Sequence, residues 1–127
     1  MIDSISIAAT VAKYPSLPYQ KIKEEILGKR YNLSLVFIGK TRAVSLNNKY
    51  RNKTYTPNIL SFPLDTTSGE IFITPELART ECKKFGMTPK GYIGFLFIHG
   101  LLHLKGHAHG DTMERAEKKY VSKFKLV

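Results

Sequence analysis

All four histidines of this 127-residue chain fall between His99 and His109, and their spacing suits metal chemistry. Residues i and i+4 of a helix stand one above the other with Cβ atoms about 5–6 Å apart. His99 and His103 therefore aim two imidazoles at one point, which bonds of about 2.0–2.1 Å would let a single Zn²⁺ share. Gly106 follows, a residue that readily takes the left-handed conformation ending a helix. The turn it makes gives His109 a route back to the same point. Three neutral imidazoles leave a fourth position open to water, the arrangement of a hydrolytic zinc site rather than a structural one. A metal-free pair of acid–base histidines is disfavoured, because rings this close repel once both are charged.

Zinc peptidases place a glutamate directly after the first histidine of a comparable helical motif, where it serves as general base. Here that position is Gly100. Glycine supplies no base, so peptidase chemistry does not transfer, and another group or the metal itself must activate water.

The histidines need a rigid support. Thr88-Pro89, a capping hydroxyl followed by proline, opens a helix running to Lys105. Its residues Tyr92, Ile93, Phe95, Leu96, Phe97, Ile98, Leu101, Leu102 and Leu104 make it apolar nearly all round. That is the mark of a helix buried in the middle of its domain. A polar ring left unpaired there costs about 1–3 kcal/mol.

Before this helix the pattern gives a strand over Ile5–Ala12, a helix over Pro18–Leu27 stopped by Gly28, and a buried strand over Leu33–Ile38. A helix capped by Thr41 runs to about Tyr50, and Arg51 to Asn58 is a polar loop. Strands over Ile59–Phe62 and Glu70–Ile73 are joined by the turn-forming Thr66-Thr67-Ser68-Gly69. Thr74-Pro75 opens a helix reaching Phe85. Asp111 with Glu114 resembles a capping box for a last helix. The order β-α-β-α-β-β-α-α-α predicts an α+β fold. Residues 1–127 form one domain, with a small mixed sheet of about four strands packed against helices. The metal site sits on the central buried helix and the turn after it.

Composition narrows the setting. The one cysteine, Cys82, excludes an internal disulfide framework and agrees with a reducing compartment. It reads as a free thiol on the buried side of a helix. The N-terminus shows no secretion signal and the most apolar stretch, Tyr92 to Leu104, is too short to span a bilayer. A cytoplasmic protein with no membrane partner is expected. The formal charge is +10. Between Ile26 and Leu64 there is no acidic residue, while Lys29, Arg30, Lys40, Arg42, Lys49, Arg51 and Lys53 all lie there. A surface so biased attracts polyanions, nucleic acid foremost.

The run His99-Gly-Leu-Leu-His103-Leu-Lys-Gly106-His-Ala-His109 resembles the H-G-x-L-H-L-x-G-Y-D-H motif of the YbeY family of rRNA maturation endoribonucleases. Leu46-Asn-Asn-Lys-Tyr-Arg51, Asn58-Ile-Leu-Ser-Phe-Pro63 and Gly69-Glu-Ile71 match further stretches of that family in order. The resemblance implies a zinc-dependent, single-strand-specific endoribonuclease acting on small-subunit ribosomal RNA in maturation and ribosome quality control. It makes His99, His103 and His109 the ligands of one zinc ion and Arg51 a functional arginine. A guanidinium fork can hold a phosphate and stabilise charge developing on it. Lys49, Tyr50, Lys53 and Tyr55, beside Arg51, are then candidate RNA contacts, the tyrosines by stacking on bases. The family's Tyr-Asp before the third histidine is His107-Ala108 here, so His107 is the candidate outer partner in place of the aspartate. Thr54 also replaces an aspartate after the arginine, and Thr56-Pro57 inverts a Pro-Thr pair. Two other readings fit the same residues: a ribosome-binding module with a structural zinc, and a metal hydrolase of peptides or small phosphoesters.

Overall fold

Alternate residues of the central strands share one face, and here that face is sealed. The structure is a computed structural model that describes residues 5–108 and 110–126. In it Leu33, Leu35 and Phe37 of β2 (Asn32–Phe37) lie in register with Gly69, Ile71 and Ile73 of β4 (Ser68–Ile73). All six are buried. On the opposite face Val36, Leu60 and Phe72 form a smaller cluster with Ile38, Ala43, Leu46 and Phe62. Ala43 and Leu46 come from α2 (Lys40–Arg51), which covers that side.

The sheet runs β1-β2-β4-β3, with β1 (Ile5–Ala9) and β3 (Ile59–Asp65) at its edges. The β1–β2 and β2–β4 pairs are parallel, and β3 returns antiparallel to β4. Pro63 is tolerated because an edge strand can present a missing N–H to solvent. The expected order of elements and the mixed α+β sheet hold. Some boundaries move. The strand β1 ends at Ala9 rather than Ala12, and β3 extends to Asp65. There Asp65 Oδ1 accepts from the Thr67 N–H at 2.8 Å and from its hydroxyl at 3.2 Å, tightening the hairpin turn.

The repeated Thr-Pro start signal resolves into two different functions. Thr88 Oγ1 accepts from the Gly91 N–H at 3.0 Å and caps α4 (Pro89–Lys105). Thr74 instead donates its hydroxyl to the Pro57 carbonyl at 3.0 Å, so it ties a loop rather than capping α3 (Pro75–Glu81). That helix stops before Phe85, tightening into a 3₁₀ turn over Cys82–Phe85. Thr41 does not cap α2, which begins one residue earlier after Gly39. Asp111 and Glu114 do not form a capping box either. Both lie inside the first turn of α5 (Asp111–Lys123), where carboxylates favour the positive end of the helix dipole. Cys82 is buried and free, as expected.

The helix α4 is the centre of the packing. It touches α3, β3, β4 and α5, and also α1 (Tyr19–Leu27). Its Phe97, Ile98 and Leu101 have no solvent exposure. Gly100 is where it meets the sheet: a Cβ there would stand 2.8 Å from Ile59 Cδ1 and 3.1 Å from Ile71 Cδ1. Ser61 of β3 donates to the Gly100 carbonyl at 3.0 Å. The position where peptidases carry a base is thus occupied by the sheet. At the far end Gly106 takes φ 109°, a left-handed cap that stops the helix two turns past His99. Among the described residues no helix is long and apolar enough to cross a membrane.

A Gly100→Val substitution should force α4 away from β3 and destabilise the fold by about 1–3 kcal/mol. Urea unfolding measures this, and an unchanged midpoint would show that the helix does not depend on that close approach.

Candidate active site

The histidine geometry follows from the register of α4. The rings of His99 and His103 lie 4.6 Å apart at 85°, and their Nε2 atoms approach to 3.1 Å. Two nitrogens bound to one tetrahedral zinc at about 2.0–2.1 Å would be about 3.3 Å apart. The pair therefore suits a shared divalent ion with little adjustment. The expected third ligand, His109, lies outside the described residues. Among those described, no cluster of three histidine, cysteine or acidic side chains could hold a metal.

The other nitrogen of His99 is spoken for. Its Nδ1 lies 2.5 Å from Glu117 Oε2, a carboxylate from α5 whose residue is only 8% exposed. A carboxylate accepts only, so Nδ1 is the donor of this contact and Nε2 is the ring nitrogen that faces His103. Metal-binding histidines are commonly held in this way by an acidic or carbonyl partner. Glu117 was not singled out from the sequence. A signal existed: it interrupts the buried stripe Met113, Glu117, Tyr120 and Val121 of α5. An acid at such a position needs a partner that is itself carried into the interior.

The histidines open into a cleft of about 400 Å³ whose walls include Arg51, Tyr55, Asn58, Ser61 and Gly100. Arg51 is the last residue of α2. Its Nη1 donates to Tyr55 Oη at 3.1 Å and to Asn47 Oδ1 at 3.4 Å. Asn47 is fully buried and donates its Nδ2 to the Tyr55 carbonyl at 3.0 Å. One amide thus holds both the arginine and the loop that carries Tyr55. Asn52, left-handed at φ 55°, turns the chain between them.

Asn58 is a second cleft residue that sequence reasoning did not single out. Its Nδ2 donates to Glu81 Oε1 at 3.0 Å and to Tyr92 Oη at 3.3 Å. Tyr92 in turn donates its hydroxyl to Glu81 at 3.4 Å. Burial, reinforced by the Glu81 carboxylate, pushes the Tyr92 phenol up to about 12. It remains a proton donor at any physiological pH, and the Asn58 amide keeps one orientation.

The structure gathers His99, His103, Arg51 and Tyr55 around one cleft and leaves other candidates outside its walls. Tyr50 leans on Phe62 with ring centroids 5.6 Å apart, under the Lys49 ammonium at 5.2 Å. Lys53 is exposed beyond the end of α2. His107 lines a neighbouring depression with Lys105, Gly106, Asp111 and Thr112. The carboxylate that orients His99 comes from α5 instead of that turn.

Residues 5–125 match the family described as Endoribonuclease YbeY. A Mesoplasma florum protein named Endoribonuclease YbeY is 36% identical over 79% of this chain and 62% of its own length. A Bdellovibrio bacteriovorus protein of the same name is 38% identical over 67% of this chain and 57% of its own. The chain thus spans about three fifths of the length of these relatives. The solution structure of TM1509 from Thermotoga maritima superposes with a TM-score of 0.65, covering 94% of this chain and 88% of that one. At 23% identity that likeness concerns the fold.

Replacing Glu117 with glutamine leaves shape and burial in place but removes the charge that holds the His99 ring. Divalent-metal affinity should fall about 10–100-fold in competition with a chelator, with cooperative thermal unfolding retained. Unchanged affinity would remove Glu117 from the site.

Proposed function

The chain belongs to the Endoribonuclease YbeY family, and on that premise we propose that it is a zinc-dependent endoribonuclease. Its substrate is single-stranded RNA, and its task in the cytoplasm is the processing of small-subunit ribosomal RNA. The observation that carries this reading is the pair of Nε2 atoms 3.1 Å apart, one of them buttressed by a buried carboxylate. They open into the cleft that Arg51 lines.

His99, His103 and His109 are the residues that would hold the ion. The chemistry it supplies when bound is a water acidified towards a pKa of about 7 and a Lewis acid for a phosphoryl oxygen. Everything else falls to the chain. Glu117 fixes the His99 ring so that the donated lone pair needs no reorganisation. Arg51, held by Asn47 and Tyr55, places a permanent positive charge where a phosphodiester enters and steadies charge that builds on its oxygens. Gly100 offers no side chain to compete for a proton. Lys49, Tyr50 and Lys53 are exposed and not part of the cleft walls, so they suit the strand rather than the scissile phosphate.

The substrate class is supported by electrostatics as well as by family. A stretch without acidic residues from Ile26 to Leu64 includes Arg51 and the loop after it. Phosphate contacts of this kind weaken linearly in log–log terms as salt rises.

Metal analysis of the purified protein, with cleavage of an end-labelled single-stranded RNA, tests the reading. Zinc should be found at one equivalent, and His103→Ala should abolish both zinc binding and cleavage. Arg51→Ala should keep the metal and lose about 10²–10³-fold in turnover. The chelated protein should remain folded. If chelation unfolds it while no RNA is cut, the zinc is structural and the enzymatic reading falls.

A further inference from the structure

Phe85 is the most exposed large apolar side chain among the described residues, at 62%. Its position is nevertheless fixed. It closes the 3₁₀ turn after α3, and Gly86 then turns left-handed at φ 63°. Its ring stacks on Tyr92 with centroids 5.3 Å apart and planes 12° from parallel. Tyr92 stacks on Phe95 at 6.0 Å and 18°, and Phe95 lies 6.2 Å from the His99 ring. Tyr92, Phe95 and His99 follow one another along one side of α4, so the rings form a track from the surface to the histidine pair. The hydrogen bonds of Tyr92 to Glu81 and Asn58 hold its middle still.

The surroundings of Phe85 are cationic. Lys83 and Lys84 precede it in the same turn, and both are exposed. The nearby carboxylate, Glu81, is engaged by Asn58 and Tyr92. A planar apolar ring among free ammonium groups is the pairing that single-stranded nucleic acid recognises, with bases on the ring and phosphates on the lysines. The track runs to Asn58 and His99, both of which line the cleft. We infer that Phe85 is a stacking platform for a base of the RNA flanking the cleavage point, with Lys83 and Lys84 holding its phosphates. This rests on the RNA-cleaving reading of the cleft and adds a second docking arm, built from residues other than Arg51 and Tyr55.

The test uses the zinc-loaded full chain and a short single-stranded RNA carrying 2-aminopurine, read by fluorescence quenching on binding. Phe85→Ala should weaken binding about 5–150-fold, the equivalent of one stacked base at about 1–3 kcal/mol, and should diminish the quench. Phe85→Trp should preserve both. The Lys83→Ala, Lys84→Ala double variant should flatten the slope of log affinity against log salt by about 0.7 per lysine. Thermal unfolding of each variant checks the fold. Should wild type bind and cut RNA while Phe85→Ala binds equally well, the platform falls and the cleft reading stands. Equal weakening by alanine and tryptophan would also overturn stacking. Should wild type neither bind nor cut RNA, the cleft reading falls and the platform with it.

Discussion

A helix apolar on nearly every side can carry two imidazoles only where something accepts their polar edges. That constraint organises this protein. The helix α4 buries Phe97, Ile98 and Leu101 completely, and it turns His99 and His103 into a cleft between its neighbours. There α5 returns Glu117 to the proton-bearing nitrogen of His99. Leaving that ring without a partner would cost about 1–3 kcal/mol. The same contact therefore serves folding and defines which nitrogen is left for a ligand. Stability and function are not separable at this point of the fold.

The cleft is assembled by a second buried polar group. Asn47 sits on α2, on the far side of the sheet from α4, and its amide reaches both the Arg51 guanidinium and the backbone of Tyr55. A long arginine at a helix end would otherwise sample many rotamers, at an entropic cost near that of other flexible side chains. Held at two points it is preorganised, and electrostatic stabilisation of a phosphate works best when the charge need not move. Gly100 completes the arrangement by letting the sheet edge come close enough for Ile59 and Ser61 to form the opposite wall.

Charge and aromaticity are also found outside the cleft walls. The exposed lysines do not build the fold, and the exposed rings Tyr50 and Phe85 are anchored from beneath by Phe62 and Tyr92. An anchored exposed ring keeps little conformational freedom to lose on stacking. That is the property a strand-binding surface needs.

How much of this was legible beforehand divides along physical lines. The order of elements, the apolar helix and the His99–His103 pair were written in local periodicity, because helical spacing places i and i+4 together whatever surrounds them. The cap at Thr88 was local too. The same signal marked the start of α3 at Pro75 correctly, but the Thr74 hydroxyl went to Pro57 of a distant loop instead of capping the helix. Glu117 and Asn58 were not singled out for the same reason: each acquires its function from a partner brought near only by packing, 18 residues away for Glu117 and His99, and 23 for Asn58 and Glu81. By itself the sequence determined which residue types could bind a cation and a polyanion. Tertiary structure decided which of them share a cleft, since a hydrogen bond across elements depends on where the elements lie, and no short-range pattern encodes that.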